Sequence, residues 1–163
     1  MKSLKFTGFF LAAALTWCST ATAQESSASL ELDLFWAEVA RTVREGDFEP
    51  YRNTYHPDAI LVSNLTNSSE PIAEALANWE SGFTKTREGE NSVSLEFRFT
   101  HRINDTSTAH EKGIFRYATT AEDGQTSVTY MHFEALLIKK DGWKTLMEYQ
   151  TGLATTEEWD AAG

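Results

Sequence analysis

Apolar and polar positions change rhythm along this chain, from a helical spacing in the first half to alternation in the second. Leu30, Leu34, Phe35, Val39 and Val43 recur at helical intervals and predict an amphipathic first helix that ends near Gly46. Asp47 stands where it would cap a short second helix running through Tyr55, with Phe48, Tyr51 and Tyr55 on one side. Pro57-Asp58 breaks that helix, and Ala59 to Ser63 reads as a first strand. The polar stretch Asn64 to Ser69 reads as a loop. Pro71 then suits the first turn of a third helix, where its missing N–H costs nothing. Ile72, Leu76, Trp79 and Phe83 make one apolar stripe on that helix, and Thr84 to Asn91 is charged and loop-like.

From there the period is two. Val93, Leu95, Phe97, Phe99 and His101 alternate with Ser94, Glu96, Arg98, Thr100 and Arg102, the mark of a half-buried strand. Asn104-Asp105 turns the chain into a strand over Ala109–Thr119, and Glu122-Asp123-Gly124 turns it into Ser127–Lys139. Asp141-Gly142 is a two-residue hairpin signal that leads to a last strand, Trp143–Gln150. Helices followed by a meander of long strands predict an α+β layout. One domain over 24–154 accommodates all of it, with an acidic tail over 155–163 in which Trp159 is the one large apolar anchor.

The first 23 residues have the layout of a cleaved export signal: Lys2 and Lys5, an apolar run from Phe6 to Leu15, and the small-x-small site Ala21-Thr22-Ala23. That run is shorter than the ~20 residues a membrane span needs. Cys18 lies in a lipobox-like context, but Trp17 occupies the place of a small residue, so simple cleavage and a periplasmic or secreted location are expected. Cys18 is also the only cysteine, so disulfides and thiol chemistry are excluded from the remainder. Loss of the leader removes two lysines and no acid, taking the net charge from −10 to −12. Such a chain repels polyanions, which argues against nucleic acid and against any membrane contact beyond export.

Three soft motifs fall in a telling order: a helix ending in Gly46-Asp47, Tyr55-His56-Pro57-Asp58-Ala59 before a strand, and Asp141-Gly142-Trp143 at the last hairpin. Over Leu30 to Thr151 the chain resembles the nuclear transport factor 2-like superfamily, in particular its SnoaL-like bacterial branch. The resemblance implies a cone: a curved mixed or antiparallel sheet wrapped by about three N-terminal helices around a pocket. It also implies a homodimer. Members include isomerases, dehydratases, polyketide cyclases and binding subunits. Aligned without a gap from Gly46 to Ser63, the delta-5-3-ketosteroid isomerases would place their proton-shuttling Asp on Ser63. Their first-helix Tyr would fall on Val39. Neither residue can fill the role, so that mechanism is not expected here.

Tyr130, His132 and Glu134 alternate on one predicted strand and therefore share a face. With Asp141-Gly142 as a two-residue turn, Glu134 faces Tyr149 and Thr151 lies beside His132. A His132–Glu134 pair is the candidate acid–base catalyst, because imidazole titrates near neutrality and a carboxylate tunes it. The opposing reading leaves both in solvent, since Met131, Phe133, Ala135 and Leu137 make the alternate face apolar. Trp36, Tyr51, Tyr55, Trp79, Phe97, Tyr130 and Tyr149 are the candidate pocket lining, suited to a small apolar ligand. Glu148 and Gln150 alternate with Met147 and Tyr149, so one of those pairs is polar lining and the other core. The four histidines show no metal-ligand spacing, and no phosphate loop or dinucleotide fingerprint is present, so neither metal nor cofactor is expected. The leading expectation is a pocket that holds a small apolar molecule. A cofactor-independent dehydratase, cyclase or isomerase comes second, and a dimeric protein-interaction module third.

Overall fold

The computed structural model describes residues 19–163, with side chains from Ser27 onward. Residues 1–18 of the expected leader lie outside the described residues. The elements run α1 (Ser19–Glu45), α2 (Phe48–Arg52), β1 (Tyr55–Ser63), β2 (Ser68–Pro71), α3 (Ile72–Glu88), β3 (Asn91–Asn104), β4 (Thr108–Ala121), β5 (Thr126–Lys139), β6 (Trp143–Leu153) and α4 (Thr156–Ala161). The strands form one open sheet in the order β2-β1-β6-β5-β4-β3. Only the β1–β6 pairing is parallel, because β1 precedes the helical crossover and β6 ends the meander. This is the expected α+β arrangement. The α1 helix packs against β3, and α3 against β1 and β3, so both helices lie over one face of the sheet.

That inner face is set by period. Val93, Phe133, Ala135 and Leu137 on the strands are buried against Leu32, Trp36, Val39 and Val43 of α1. The stripe on α1 begins Ala28, Leu32, Trp36, while Leu30 and Leu34 face outward, 63 % and 71 % exposed. The sequence pattern therefore located the helix but set the first turns of its buried stripe about half a turn away. Helix α1 ends where Gly46 takes φ = +67° and Asp47 N–H returns to the Thr42 carbonyl at 2.8 Å. Asp47 does not cap α2 with its side chain. It meets the Arg41 guanidinium instead, at 3.2 Å, beside Glu38 and Glu45.

Several elements differ from the sequence expectation. Helix α2 stops at Arg52, and Tyr55 already belongs to β1, which crosses Pro57 with a register shift against β6 between Tyr55 and Ile60. Proline survives there because the irregularity relieves the ladder of a donor. The expected loop before Pro71 contributes β2, and α3 continues through the charged stretch to an αL cap at Gly89. Strand β3 carries a bulge between Phe99 and His101. Alternation predicts His101 inward, but the extra residue reverses the phase and turns Arg102 inward.

The tail is a helix docked on the outer face of the sheet. Thr155 and Glu158 form a reciprocal capping box at the start of α4. Trp159 is buried, with the Arg98 guanidinium 4.2 Å from its ring centroid and Tyr130 against it at 5.7 Å. The Thr155 backbone N–H first, and His132 after it, hold the Glu158 carboxyl below its ordinary range. A depressed folded-state value stabilises the docked helix above the ordinary glutamate value and loses that contribution as pH falls through the folded one. Acidification is thus expected to move the Trp159 indole N–H resonance toward its unfolded position while those of Trp36 and Trp79 hold. Unchanged Trp159 at acid pH would show that the capping box does not govern docking.

Candidate functional site

The helices and the inner sheet face enclose a cavity of about 450 Å³. Its walls are largely rings: Trp36 from α1, Trp79 and Phe83 from α3, Phe97 from β3, Phe115 from β4 and Phe133 from β5. These rings brace one another, Trp36 lying 4.7 Å from Phe97 and 5.7 Å from Phe133, centroid to centroid. Val39, Val43, Val93 and Leu95 complete the apolar lining. Asn78, Ser81 and Gly82 on α3 and Tyr117 on β4 are its exposed lining residues and border the opening.

One wall is polar. Tyr51 comes from α2, Tyr55 from the start of β1, and Glu148 and Gln150 from β6. The Tyr55 hydroxyl donates to Glu148 Oε2 at 2.6 Å, and Gln150 Nε2 donates to Glu148 Oε1 at 2.9 Å. Tyr51 and Tyr55 hydroxyls are 3.2 Å apart. A phenol has one hydrogen to give. Tyr55 spends its own on Glu148, so Tyr51 is the donor in the second bond. Burial foremost, and then the Glu148 carboxylate, raise both phenols well above their ordinary values, which keeps both neutral. Among the described residues the cavity lining contains no Lys, Arg or His, and Glu148 is its single carboxylate.

Behind Trp36 lies a second polar cluster that sequence reasoning did not single out. Glu111, fully buried on β4, accepts from the Trp36 indole N–H and from Arg102 Nε, the latter at 2.5 Å. Arg102 Nη1 reaches Asp33 at 2.5 Å. The bulge in β3 creates this contact by bringing Arg102 to the Glu111 face. The network fixes the indole that forms a cavity wall, so it positions the site without touching its contents.

Of the residues expected at the pocket, Trp36, Tyr51, Tyr55, Trp79 and Phe97 line it. Tyr130, His132, Glu134 and Tyr149 stand on the outer face instead. The reason is register: Met131 and Phe133 point inward, so the residues between them point out. There the expected pair separates. Glu134 bonds His110 Nε2 at 3.1 Å and Lys112 at 2.7 Å, while His132 lies 3.4 Å from Glu158 on α4. Lys112 chiefly, with His110, holds the Glu134 carboxyl below its ordinary range. Tyr130 packs on Trp159, and the Tyr149 hydroxyl donates to Asn64 Oδ1 at 3.0 Å. Val39, at the position of the isomerase tyrosine, lines the cavity, and Ser63 is buried without lining it. Among the described residues no group of three or more His, Cys, Asp or Glu could hold a metal ion.

Comparison of the architecture with solved structures returns one fold repeatedly. A nuclear transport factor 2-like superfamily protein from Salmonella enterica serovar Typhimurium superposes with a TM-score of 0.60 at 15 % identity, covering 81 % of this chain and 95 % of its own. An NTF-2-like protein of unknown function from Shewanella oneidensis gives 0.59 at 16 %, covering 77 % and 99 %. The fold is nuclear transport factor 2-like. A ketosteroid isomerase-like protein from Erwinia carotovora atroseptica shares it with a TM-score of 0.51 at 14 % identity, over 85 % and 99 % of the two chains. No protein-family model and no curated protein matches the sequence. At these identities the nuclear transport factor 2-like fold is shared, and the chemistry must be argued from the cavity's own side chains.

Proposed function

We propose that this chain is an exported binding protein that holds one small, ring-bearing molecule in the cavity of its nuclear transport factor 2-like fold. The observation that carries the reading is the cavity itself: about 450 Å³, walled by aromatic rings, with one hydrogen-bonded polar cluster to orient a ligand. Pockets for small molecules have this volume and this balance of apolar wall and few polar groups. The leader pattern over 1–23 supports export. Proton-moving catalysis by His132 and Glu134 is left out of the proposal, because Glu134 is committed to His110 and Lys112 outside the cavity.

Gly82 offers a test. It sits inside α3 at the cavity's edge, and a Cβ built there meets nothing within 4 Å. Gly82→Phe would push a ring into the opening while removing a glycine from a helix interior. Stability is expected to hold or rise by up to ~1 kcal/mol. Native mass spectrometry after incubation with a host extract is expected to show a bound small molecule on the wild type and none on Gly82→Phe. A wild type that takes up nothing would sink the reading, as would equal uptake by the variant.

A further inference from the structure

Among the described residues Glu148 is the one charged side chain in the cavity lining, and no cation answers it. It makes no ion pair among the described residues, and no basic residue lines the space. Its two hydrogen bonds, from Tyr55 and Gln150, steady the carboxylate without neutralising it. A carboxylate accepts at roughly four lone-pair sites, so acceptor capacity remains. Tyr51 adds another acceptor, since its hydrogen is spent on Tyr55. The wall therefore asks its ligand for donors and positive charge. The rest of the lining agrees: Trp36, Trp79, Phe97 and Phe115 border the same space, and an aromatic ring attracts a cation that meets its face. The chain as a whole, at −10, concentrates cations near its surface.

We infer that the cavity selects an organic amine in its ammonium form, with an aromatic or alicyclic body, held by Glu148 at its charged end and by the ring walls along its length. This rests on the cavity being a ligand site and adds the ligand's charge. A neutral ligand of the same shape keeps the apolar contacts but leaves Glu148 desolvated and unanswered. A carboxylic acid would add repulsion to that cost. The order of preference is amine over neutral isostere over acid.

The test uses aryl-ethyl amines with one, two and three fused rings, each matched to the alcohol and the carboxylic acid of the same skeleton. Binding is read by calorimetry on the wild type, Glu148→Gln and Gln150→Lys. Each amine that binds is expected to do so at least ~10-fold more tightly than its alcohol, with the acid weakest. Glu148→Gln should remove that preference, bringing the amine down to the affinity of its alcohol. Gln150→Lys, which sets a cation beside Glu148, should remove it independently if the first variant folds poorly. Alcohols binding as well as amines would overturn the inference and leave the cavity reading standing. So would an amine preference that survives both variants. Failure of every compound, together with no uptake from extract, would bring down both.

Discussion

Arg102→Met is expected to lower the unfolding free energy by about 3–5 kcal/mol, the cost of leaving a buried carboxylate without its cation. Glu111 has no exposed surface, and Arg102 is the only cation bonded to it among the described residues. Water cannot reach the carboxylate to replace the guanidinium. Asp33, half exposed at the other end of the network, loses little. Urea denaturation measures the effect. The double variant Arg102→Met/Glu111→Leu should be more stable than Arg102→Met alone, since removing both charges avoids the stranded one. Its residual deficit reflects the Trp36 N–H left without an acceptor. A loss under 1 kcal/mol in the single variant, on the scale of an ordinary surface change, would mean that solvent reaches Glu111 after all. Because the same carboxylate anchors Trp36, ligand affinity should fall in Glu111→Leu even where the fold survives.

Gly46→Ala is expected to cost about 2–4 kcal/mol, combining strain at a left-handed position with overpacking. A Cβ at Gly46 would sit 2.5 Å from both the Phe83 carbonyl oxygen and the Arg87 backbone nitrogen of α3. Those are main-chain atoms and cannot rotate aside. Gly89 separates the two contributions. It is also left-handed, at φ = +81°, but a Cβ there meets nothing within 4 Å. Gly89→Ala should therefore show the strain alone, about 1–2 kcal/mol. Equal losses in the two variants would show that α1 and α3 separate easily, and that the close approach at Gly46 is not a constraint.

The sequence made the architecture legible because period and punctuation agree over most of the chain. Gly46-Asp47, Asp141-Gly142 and the alternation from Val93 onward each mark a boundary or a face by local sterics alone. What stayed hidden was phase. The last hairpin turns through Lys140, Asp141 and Gly142, pairing Lys139 with Trp143. The expected register reappears upstream, Glu134 opposite Tyr149, only because an irregularity between Leu136 and Leu137 restores it. A bulge is a tertiary accommodation with no signature in hydropathy, and the one in β3 concealed the Arg102–Glu111 contact for that reason. The same limit governs the candidate site. Ring-bearing residues on helices and strands could be placed at the cavity, and five of the seven line it. Choosing between two faces of β5 needs knowledge of what covers each, and the sequence of α4 shows only an acidic tail with one tryptophan. Glu148 was visible as one of two alternating pairs on β6. Nothing in the sequence said which pair looked inward.

The bulge in β3 has a bearing on solubility as well. Strand β3 closes the sheet on one side, and at 14 residues it would offer a long row of unpaired N–H and C=O groups to a neighbouring molecule. An extra residue at Thr100–His101 breaks that row into two short runs that do not share a straight ladder. A second chain cannot continue the sheet across the break without a matching irregularity. The distortion that admits Arg102 to the interior thus also guards the open margin of the sheet against strand-by-strand growth.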